Sequence, residues 1–479
     1  MMFRSALGAL SIFVFLLGAG RVSAQSRPIV IQGGMLIDGT GRAPVADAVV
    51  VFQDGRIRDV GRRGEVTPPK DADVINAKGK TILPGLIDGH CHLRDWMGEL
   101  YLHLGITTCP TISNNPTDWV IAQRDGVKNG TIRGPRVWAA GNVIDGPPPE
   151  GLGGLRRQRM STFVTNEEQA REAVRAAIAK GVDGFKLFER LRPQDAKAAT
   201  DEAHRAGKPV IGHSLDIYAS ADAGYQSVEH AWSVLFTSIT DPKKKNDLDT
   251  ARITGKISTA EALYYMERDQ FDKIIKTMLA KNVHWSPTWG TTYRPIARRG
   301  ADMRREEAAF LNDPNLRYLP SYIPKDVEKL YSLFEKASPE LRARLEQGYK
   351  NVQEFARRFV AAGGKIHLGS DPDAILAGYG LHAELEMAVE AGLTPVQAIE
   401  GVSLNVAEAW GRQKDYGSVE KGKVADIVIV DGEVAKDITA SKRVEKFFME
   451  GKPVDLAFHP DYKNPFPRPI ADRPEQEGR

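Results

Sequence analysis

Residues 83–93 read Leu83-Pro-Gly-Leu-Ile-Asp-Gly-His90-Cys91-His92-Leu93, and this stretch decides how the rest of the chain is interpreted. Its apolar start predicts a buried strand, which ends in two histidines one residue apart. Because side chains alternate along a strand, His90 and His92 project from one face and Cys91 from the other. Two imidazoles on one face at the end of a strand can bind one metal ion.

This strand is the first of eight predicted strands that alternate with helical segments. The strands are predicted at residues 82–88, 106–109, 136–140, 184–188, 209–212, 227–229, 283–286 and 365–369. Such alternation indicates βαβ units with a parallel sheet, and eight strands are the number that closes a TIM barrel. We therefore expect an α/β fold with a (β/α)8 barrel over residues 84–410, in which the Gly/Pro-rich residues 141–154 form a loop.

Both ends of the chain outside the barrel are rich in predicted strands. Residues 49–60 form a predicted hairpin with Asp54-Gly55 at its turn, and residues 424–430 and 444–450 are further strands. We expect one small β-sandwich domain built from residues 25–83 and 411–455. Residues 456–479 are rich in proline and charge, and they are predicted to form a loosely held C-terminal tail.

Two long insertions follow predicted barrel strands. Residues 237–269 follow the sixth strand, and residues 291–342 follow the seventh. Segments after barrel strands lie over the barrel mouth, which favours a role as lids that cover a substrate. Surface decoration, or a contact in a homo-oligomer, is an equally open interpretation of these insertions.

The first 24 residues have the pattern of a secretory signal peptide. A basic start is followed by an apolar stretch and by the small residues Val22-Ser-Ala24. The apolar stretch is short for a membrane anchor, so we expect cleavage after residue 24 and a secreted or periplasmic protein without membrane attachment. The 65 basic and 62 acidic residues give a net charge of +3, which disfavours a nucleic-acid-binding protein.

The chain has only two cysteines, Cys91 and Cys109. Both lie near the ends of neighbouring predicted strands, so pairing is geometrically conceivable. Two cysteines form no disulfide framework, however, and we expect two free, buried thiols.

The segment from Pro84 to His92 resembles the opening metal motif of the amidohydrolase superfamily. Residues 417–429 resemble the return of those proteins into their small domain, so the resemblance covers most of the mature chain. The branch that it resembles most contains Xaa-Pro dipeptidases and imidazolonepropionase-like proteins. The resemblance implies a metal-bearing barrel that hydrolyses amide, ester or ring C–N bonds with two divalent metal ions. Nitrogen and oxygen ligands favour Zn²⁺ and leave Mn²⁺, Co²⁺ and Fe²⁺ open.

The resemblance also implies a set of metal ligands at the ends of the barrel strands. Position by position, they are His90, His92, Lys186, His213, His230 and Asp371. Lys186 matches a lysine that is carboxylated in the binuclear members, where the carbamate binds both ions. A free ammonium within an apolar strand would be costly, which agrees with such a modification. Asp371 matches the aspartate that ligates one ion and serves as general base and then general acid.

We expect this site to hydrolyse the amide bond of a dipeptide, an N-acyl amino acid or a related small amide with a metal-bridged hydroxide. The side chains expected to line the substrate pocket are Trp96, Tyr225, Trp289 and His382. A mononuclear cyclic amidohydrolase or deaminase of the imidazolonepropionase type is one alternative, with Asp216 as its acidic residue. A non-catalytic barrel module is another, although every ligand position is filled.

Overall fold

The computed structural model describes residues 26–112, 115–148, 160–372 and 376–469 of the chain. The predicted signal peptide lies outside these residues. Among the residues that the structure describes, no helix is both long and apolar enough to cross a membrane.

The strands from both ends of the chain form one sheet, and those between them form a barrel. They are β1 (Ile29–Leu36), β2 (Val45–Gln53), β3 (Arg56–Arg62), β4 (Asp73–Asn76), β5 (Lys80–Pro84), β6 (Leu86–Ile87), β7 (Ile106–Thr111), β8 (Arg136–Ala139), β9 (Val143–Asp145), β10 (Ser161–Phe163), β11 (Phe185–Leu187), β12 (Val210–Gly212), β13 (Ser227–Glu229), β14 (His284–Ser286), β15 (Ile427–Asp431), β16 (Val444–Met449) and β17 (Lys452–Pro453).

Helices fill the connections between the barrel strands and build both insertions. The α-helices are Gly98–His103, Thr117–Lys128, Glu167–Lys180, Pro193–Arg205, Ile217–Ala223, Ala231–Ser238, Pro242–Ile253, Thr259–Ala262, Phe271–Ala280, Gly290–Tyr293, Gly300–Leu311, Ile323–Glu335, Pro339–Ala361, Tyr379–Glu390, Pro395–Gly401 and Leu404–Ala409. Short 3-10 helices are Leu263–Tyr265, Arg268–Gln270, Arg294–Ile296, Pro314–Leu316 and Ile438–Lys442.

The barrel strands pair in parallel, as the sequence predicts. The order is β6–β7–β8 on one side and β9–β11–β12–β13–β14 on the other. The segment predicted as the eighth strand, residues 365–369, takes that place next to β14 through an isolated bridge between Trp285 and Ile366 and two flanking backbone hydrogen bonds. The ring closes because Gly89 N donates to Leu368 O at 2.9 Å. The prediction of an eight-stranded barrel is therefore confirmed.

The third barrel strand is split, which corrects one expectation. The fourth barrel strand is β11 with its flanking residues. β8 contacts it where Asp183 N donates to Ala139 O, and β9 contacts it where Phe188 N donates to Ile144 O. β9 thus continues the line of β8 after a short break. The prediction of a continuous loop from residue 141 is wrong at β9, because backbone pairing with β11 outweighs the local loop composition.

The small domain is one eight-stranded sheet, formed by β1 to β5 together with β15 to β17. Phe52 of β2 and Phe448 of β16 lie four strands apart along the sheet, which would separate them by about 19 Å if it were flat. Their ring centroids are 5.2 Å apart, so the sheet folds over and encloses a common apolar core. The predicted sandwich from both chain ends is confirmed. The predicted hairpin is also present, with positive φ at Asp54 and Gly55.

Cys91 and Cys109 are joined in a disulfide, so the expectation of free thiols is wrong. Cys91 bridges in parallel to Thr111 at the end of the neighbouring strand, and the two cysteine Cα atoms are 6.1 Å apart. That separation lies within the range that a disulfide spans. The bond links the first barrel strand to the second. Its attachment point on the first strand, Cys91, lies between His90 and His92 in the sequence.

The described part of the C-terminal tail packs against the barrel, so the expectation of a loosely held segment is wrong there. Phe466 O accepts hydrogen bonds from Trp119 and Gln123, both at 2.9 Å. Arg468 Nε donates to Asn115 Oδ1 at 2.7 Å. The proline and charge content of the segment gives no indication of these contacts, because they form only when the tail packs against the barrel.

Candidate metal centre

The six predicted ligands all lie at the carboxyl ends of barrel strands. They are His90 and His92 after β6, Lys186 in β11, His213 after β12, His230 after β13 and Asp371 after the eighth strand. The carboxyl ends of parallel barrel strands meet at one mouth of the barrel. The fold therefore directs these side chains toward a common centre.

The first ligand group consists of His90, His92 and Asp371, whose ligand atoms lie within 4.8 Å of one another. His92 Nε2 is 2.8 Å from Asp371 Oδ1, and His90 Nε2 is 3.8 Å from the same oxygen. Two imidazole nitrogens and one carboxylate oxygen at this spacing match the ligand set of a divalent metal ion.

The second ligand group consists of His213 and His230. Their Nε2 atoms are 2.9 Å apart, and together with His90 they form a further cluster that could hold a metal ion. His230 also lies 3.8 Å from Asp371 Oδ2. The two groups are therefore adjacent and share His90 as a common neighbour.

Lys186 is fully buried, and its ammonium has no hydrogen-bond partner among the residues that the structure describes. Its charge contributes to lowering the pKa of His90, of His213 and of His230, so it acts on both ligand groups. Burial lowers the pKa of Lys186 itself to about 8, although Glu229, Asp371 and Glu189 act in the opposite direction. A buried lysine without a partner is the pattern expected of a functional group.

Three of the imidazoles are fixed through their Nδ1 atoms, so that Nε2 remains for a ligand. The contacts are His90 to Glu229 Oε2 at 2.5 Å, His213 to Glu189 Oε2 at 2.9 Å and His230 to Thr288 Oγ1 at 2.8 Å. Metal-binding histidines usually have such a partner on the second nitrogen. Sequence reasoning missed these three partners. Only the position of Glu229, directly before His230, offers a local signal for one of them.

The electrostatics of the centre suit metal ions. Burial lowers the pKa of His90 to about 4 and that of His213 to about 3, so both imidazoles are neutral at pH 7. Burial alone would raise the pKa of Asp371, but the neighbouring His90 and His92 hold it below its usual range. Neutral imidazole and ionised carboxylate are the forms that ligate metals. Within the described part of the chain, the buried His90 Nε2 has no hydrogen-bond partner, which also fits a ligand atom.

Three residues around the centre have a backbone conformation that is unusual for side chains with a Cβ atom. The φ angles are 67° at His230, 49° at Thr288 and 46° at Asp371. Positive φ is especially uncommon for a β-branched residue such as Thr288. Strained backbone of this kind is concentrated at functional sites, where the surrounding structure maintains it.

A cavity of about 240 Å³ adjoins the second ligand group. Its wall includes His230, Trp232, Trp289, Tyr293 and Asp371. Of the side chains predicted to bind substrate, Trp289 therefore lies at this cavity. Its lining is mixed: aromatic rings stand beside the hydroxyls of four threonines, which are Thr259, Thr288, Thr291 and Thr292.

The other side chains predicted to bind substrate lie elsewhere. Trp96 lines a separate cavity of about 830 Å³ between the loop after β6, the seventh-strand insertion and the C-terminal segment. Tyr225 is buried against Gly212. His382 is fully buried and bonds to Leu104 O and Ser441 Oγ. Tertiary packing places the rings of Tyr225 and His382 in the core, so the structure does not bring them together with Trp289.

Asp216 does not take the place required by the mononuclear alternative. It is exposed, and its carboxylate caps the helix Ile217–Ala223 by accepting from Tyr218 N at 2.9 Å. Its position three residues after His213 therefore reflects the start of a helix.

Comparison with protein families gives a match over most of the chain. Residues 81–454 match the model of the amidohydrolase family. A dihydroorotase from Acetivibrio thermocellus is 41% identical, but only over 68 residues, which are 14% of this chain and 15% of that protein. An imidazolonepropionase from Symbiobacterium thermophilum is 24% identical over 400 residues, which cover 81% of this chain and 84% of that protein.

Solved structures with the same fold include two hydrolases. Molinate hydrolase superposes with a TM-score of 0.63 at 20% identity, covering 90% of this chain and 95% of that one. An Xaa-Pro dipeptidase with methionine bound in its active site superposes with a TM-score of 0.61 at 19% identity, covering 89% of this chain and all of that one (100%). These likenesses establish a shared fold.

Proposed function

Since the chain belongs to the amidohydrolase family, we propose that it hydrolyses the amide C–N bond of a dipeptide, an N-acyl amino acid or a related small amide. The observation that carries the proposal is the adjacency of the two ligand groups at one barrel mouth, where the charge of the buried Lys186 acts on histidines of both. The Xaa-Pro dipeptidase with bound methionine supports an amino-acid leaving group.

We propose two divalent metal ions, with Zn²⁺ favoured by the nitrogen and oxygen ligands. His90, His92 and Asp371 would hold one ion, and His213 and His230 the other. When bound, the ions supply Lewis acidity that polarises a carbonyl and lowers the pKa of a water molecule. The family's metal dependence and the ligand clusters support this assignment.

Lys186 is proposed to be carboxylated. Its lowered pKa leaves part of the side chain as neutral amine near neutral pH. That amine adds to the carbon of CO₂: an N–C bond forms, one C=O π bond opens with its electron pair going to oxygen, and one N–H proton passes to solvent. The resulting carbamate is an anion with two oxygens, which turns a cation that repels metal ions into a ligand.

Asp371 is proposed to move the protons of the reaction. Its carboxylate is ionised and oriented by His92 at 2.8 Å, and it borders the cavity beside the second ligand group. It accepts a proton from the attacking water and delivers that proton to the departing nitrogen, as general base and then general acid. Trp289 and Tyr293 provide the aromatic part of the cavity wall for the substrate.

We also propose that the chain is exported and cleaved after residue 24. The disulfide between Cys91 and Cys109 supports this, because such bonds persist in oxidising compartments. Detection of the mature chain outside the cytoplasm, beginning at residue 25, tests this part of the proposal.

The activity is tested by screening dipeptides, N-acyl amino acids and a ring amide on the mature chain loaded with Zn²⁺. We expect release of amine from an open-chain amide, and loss of that release in Asp371→Asn. If the ring amide alone reacts, the cyclic alternative replaces this proposal. Equal turnover by the variant and the native chain would refute the catalytic assignment.

The carbamate is tested by ¹³C NMR after exchange with labelled bicarbonate. We expect one carbamate resonance in the native protein and none in Lys186→Met. A native protein that binds metal but shows no such resonance would contradict carboxylation.

A further inference from the structure

Glu189 lies between the second ligand group and the sixth-strand insertion. Its Oε2 accepts from His213 Nδ1 at 2.9 Å, and its Oε1 lies 3.8 Å from Arg252 Nη2. Both charged side chains are largely buried, with 8% exposure for Glu189 and 13% for Arg252. One carboxylate therefore contacts a predicted metal ligand and a cation that belongs to the insertion.

Arg252 lies on the helix Pro242–Ile253 of that insertion and is itself held in place. Its guanidinium pairs with Asp249 on the same helix at 2.7 Å. Asp249 also pairs at 2.9 Å with Arg190, the residue that follows Glu189. The insertion is thus attached at two adjacent points to the segment directly after β11.

A second contact links Arg252 to the ligands through aromatic packing. Its guanidinium carbon lies 5.0 Å from the ring centroid of Trp232. The Trp232 ring is stacked on His230 at 5.4 Å and meets His213 edge-on at 4.9 Å. Arg252 is therefore placed to influence both members of the second ligand group.

We infer that Glu189 and Arg252 are positioning residues through which the sixth-strand insertion orients His213 and sets the metal affinity of the second ligand group. The inference rests on the proposed metal site and identifies part of the insertion as a support for that site. A carboxylate on Nδ1 fixes the orientation of an imidazole and raises the basicity of Nε2. Arg252 keeps that carboxylate in place, so removing its charge should loosen His213 as well.

The reciprocal effect follows from linkage. If the insertion strengthens metal binding, metal binding must stabilise the attached form of the insertion by the same free energy. We therefore expect slower amide hydrogen exchange in the helix Pro242–Ile253 when Zn²⁺ is bound.

The test compares Glu189→Gln, Arg252→Met and Arg252→Lys with the native chain. Zn²⁺ dissociation constants are measured by competition with a chromogenic chelator, and the melting temperature is measured on metal-free protein. We expect one of the two ions to bind about tenfold more weakly in Glu189→Gln and Arg252→Met, with unchanged metal-free melting. Arg252→Lys should recover part of the affinity.

Lys243→Met is the matched control, since it removes a cation from the same helix where the side chain is 84% exposed. It should bind Zn²⁺ like the native chain. Native affinity in both Glu189→Gln and Arg252→Met would overturn the inference, and so would an equal loss in the control. If Arg252→Met does not fold, the isosteric Glu189→Gln decides the question. A native chain that binds no metal would instead refute the proposed function.

Discussion

The two ligand groups differ in what supports them. The first group is supported from within the barrel: Glu229 contacts His90, and Ser227 donates to Glu229 at 2.8 Å. The second group is supported from outside the strands, by Glu189 with Arg252 and by Thr288 in the segment after β14.

This difference separates what the barrel provides from what the insertions add. The supports of the first group, Glu229 and Ser227, lie on the barrel strand β13 itself. One support of the second group, Glu189, contacts a helix that belongs to an insertion through Arg252, whereas Thr288 does not lie on that helix. Changes in the insertion can therefore adjust one side of the centre while the other side stays intact.

Asp371→Asn should have the largest effect, because Asp371 contacts histidines of both groups. The amide can still bond to His92 but cannot accept a proton, so kcat should fall by about 10²–10⁴-fold. Steady-state kinetics on the best substrate from the screen measure this. A kcat within twofold of the native value would show that another group moves the proton.

Reduction of the disulfide should destabilise the barrel strand that carries His90 and His92. Cys91 and Cys109 are separated by 18 residues, and closing a loop of about this length stabilises a protein by about 3 kcal/mol. Urea unfolding with and without a strong reductant should show that loss. The Cys91→Ala/Cys109→Ala double variant should not respond to reductant, and a native chain that is equally insensitive would contradict the prediction.

Glu229→Gln should weaken metal binding by about 10–100-fold, because it removes the carboxylate that orients His90. The affected ion should differ from the one that Glu189→Gln weakens, which separates the two sides of the centre. Chelator competition measures both variants, with Glu346→Gln, an exposed position, as control. Weakening of the same ion by both glutamine variants would mean that the two groups do not act separately.

Thr288→Val should have the smallest effect, since a neutral hydroxyl supports His230. Losing one neutral hydrogen bond costs about 1 kcal/mol, or about fivefold in metal affinity. Thr288→Ser keeps the hydroxyl and should bind Zn²⁺ like the native chain. A loss in the valine variant as large as that in Glu229→Gln would remove the distinction between carboxylate and hydroxyl support.

The barrel and the sandwich could be predicted because they depend on periodicity and on the order of strands. The ligand positions followed from the rule that parallel strands end at one mouth, together with the resemblance of residues 84–92 to a known motif. Those signals are local in sequence, so they can be recognised without knowledge of how the segments pack.

What sequence reasoning missed depends on contacts between distant segments. Cys91 and Cys109 pair because two strands are neighbours, although two cysteines alone predict little. His382 resembles a site residue in sequence, yet it bonds to Leu104 and Ser441 in the core. Glu189 acquires its role only where Arg252, from another segment, approaches it. No local pattern distinguishes such residues from ordinary surface or core positions.

The most direct test of the central claim is a crystal structure of the Zn²⁺-loaded chain with anomalous data at the zinc edge. We predict two peaks per chain, one among His90, His92 and Asp371 and one beside His213 and His230. No peak at this mouth of the barrel, or a single ion with Lys186 unmodified, would contradict the two-metal account.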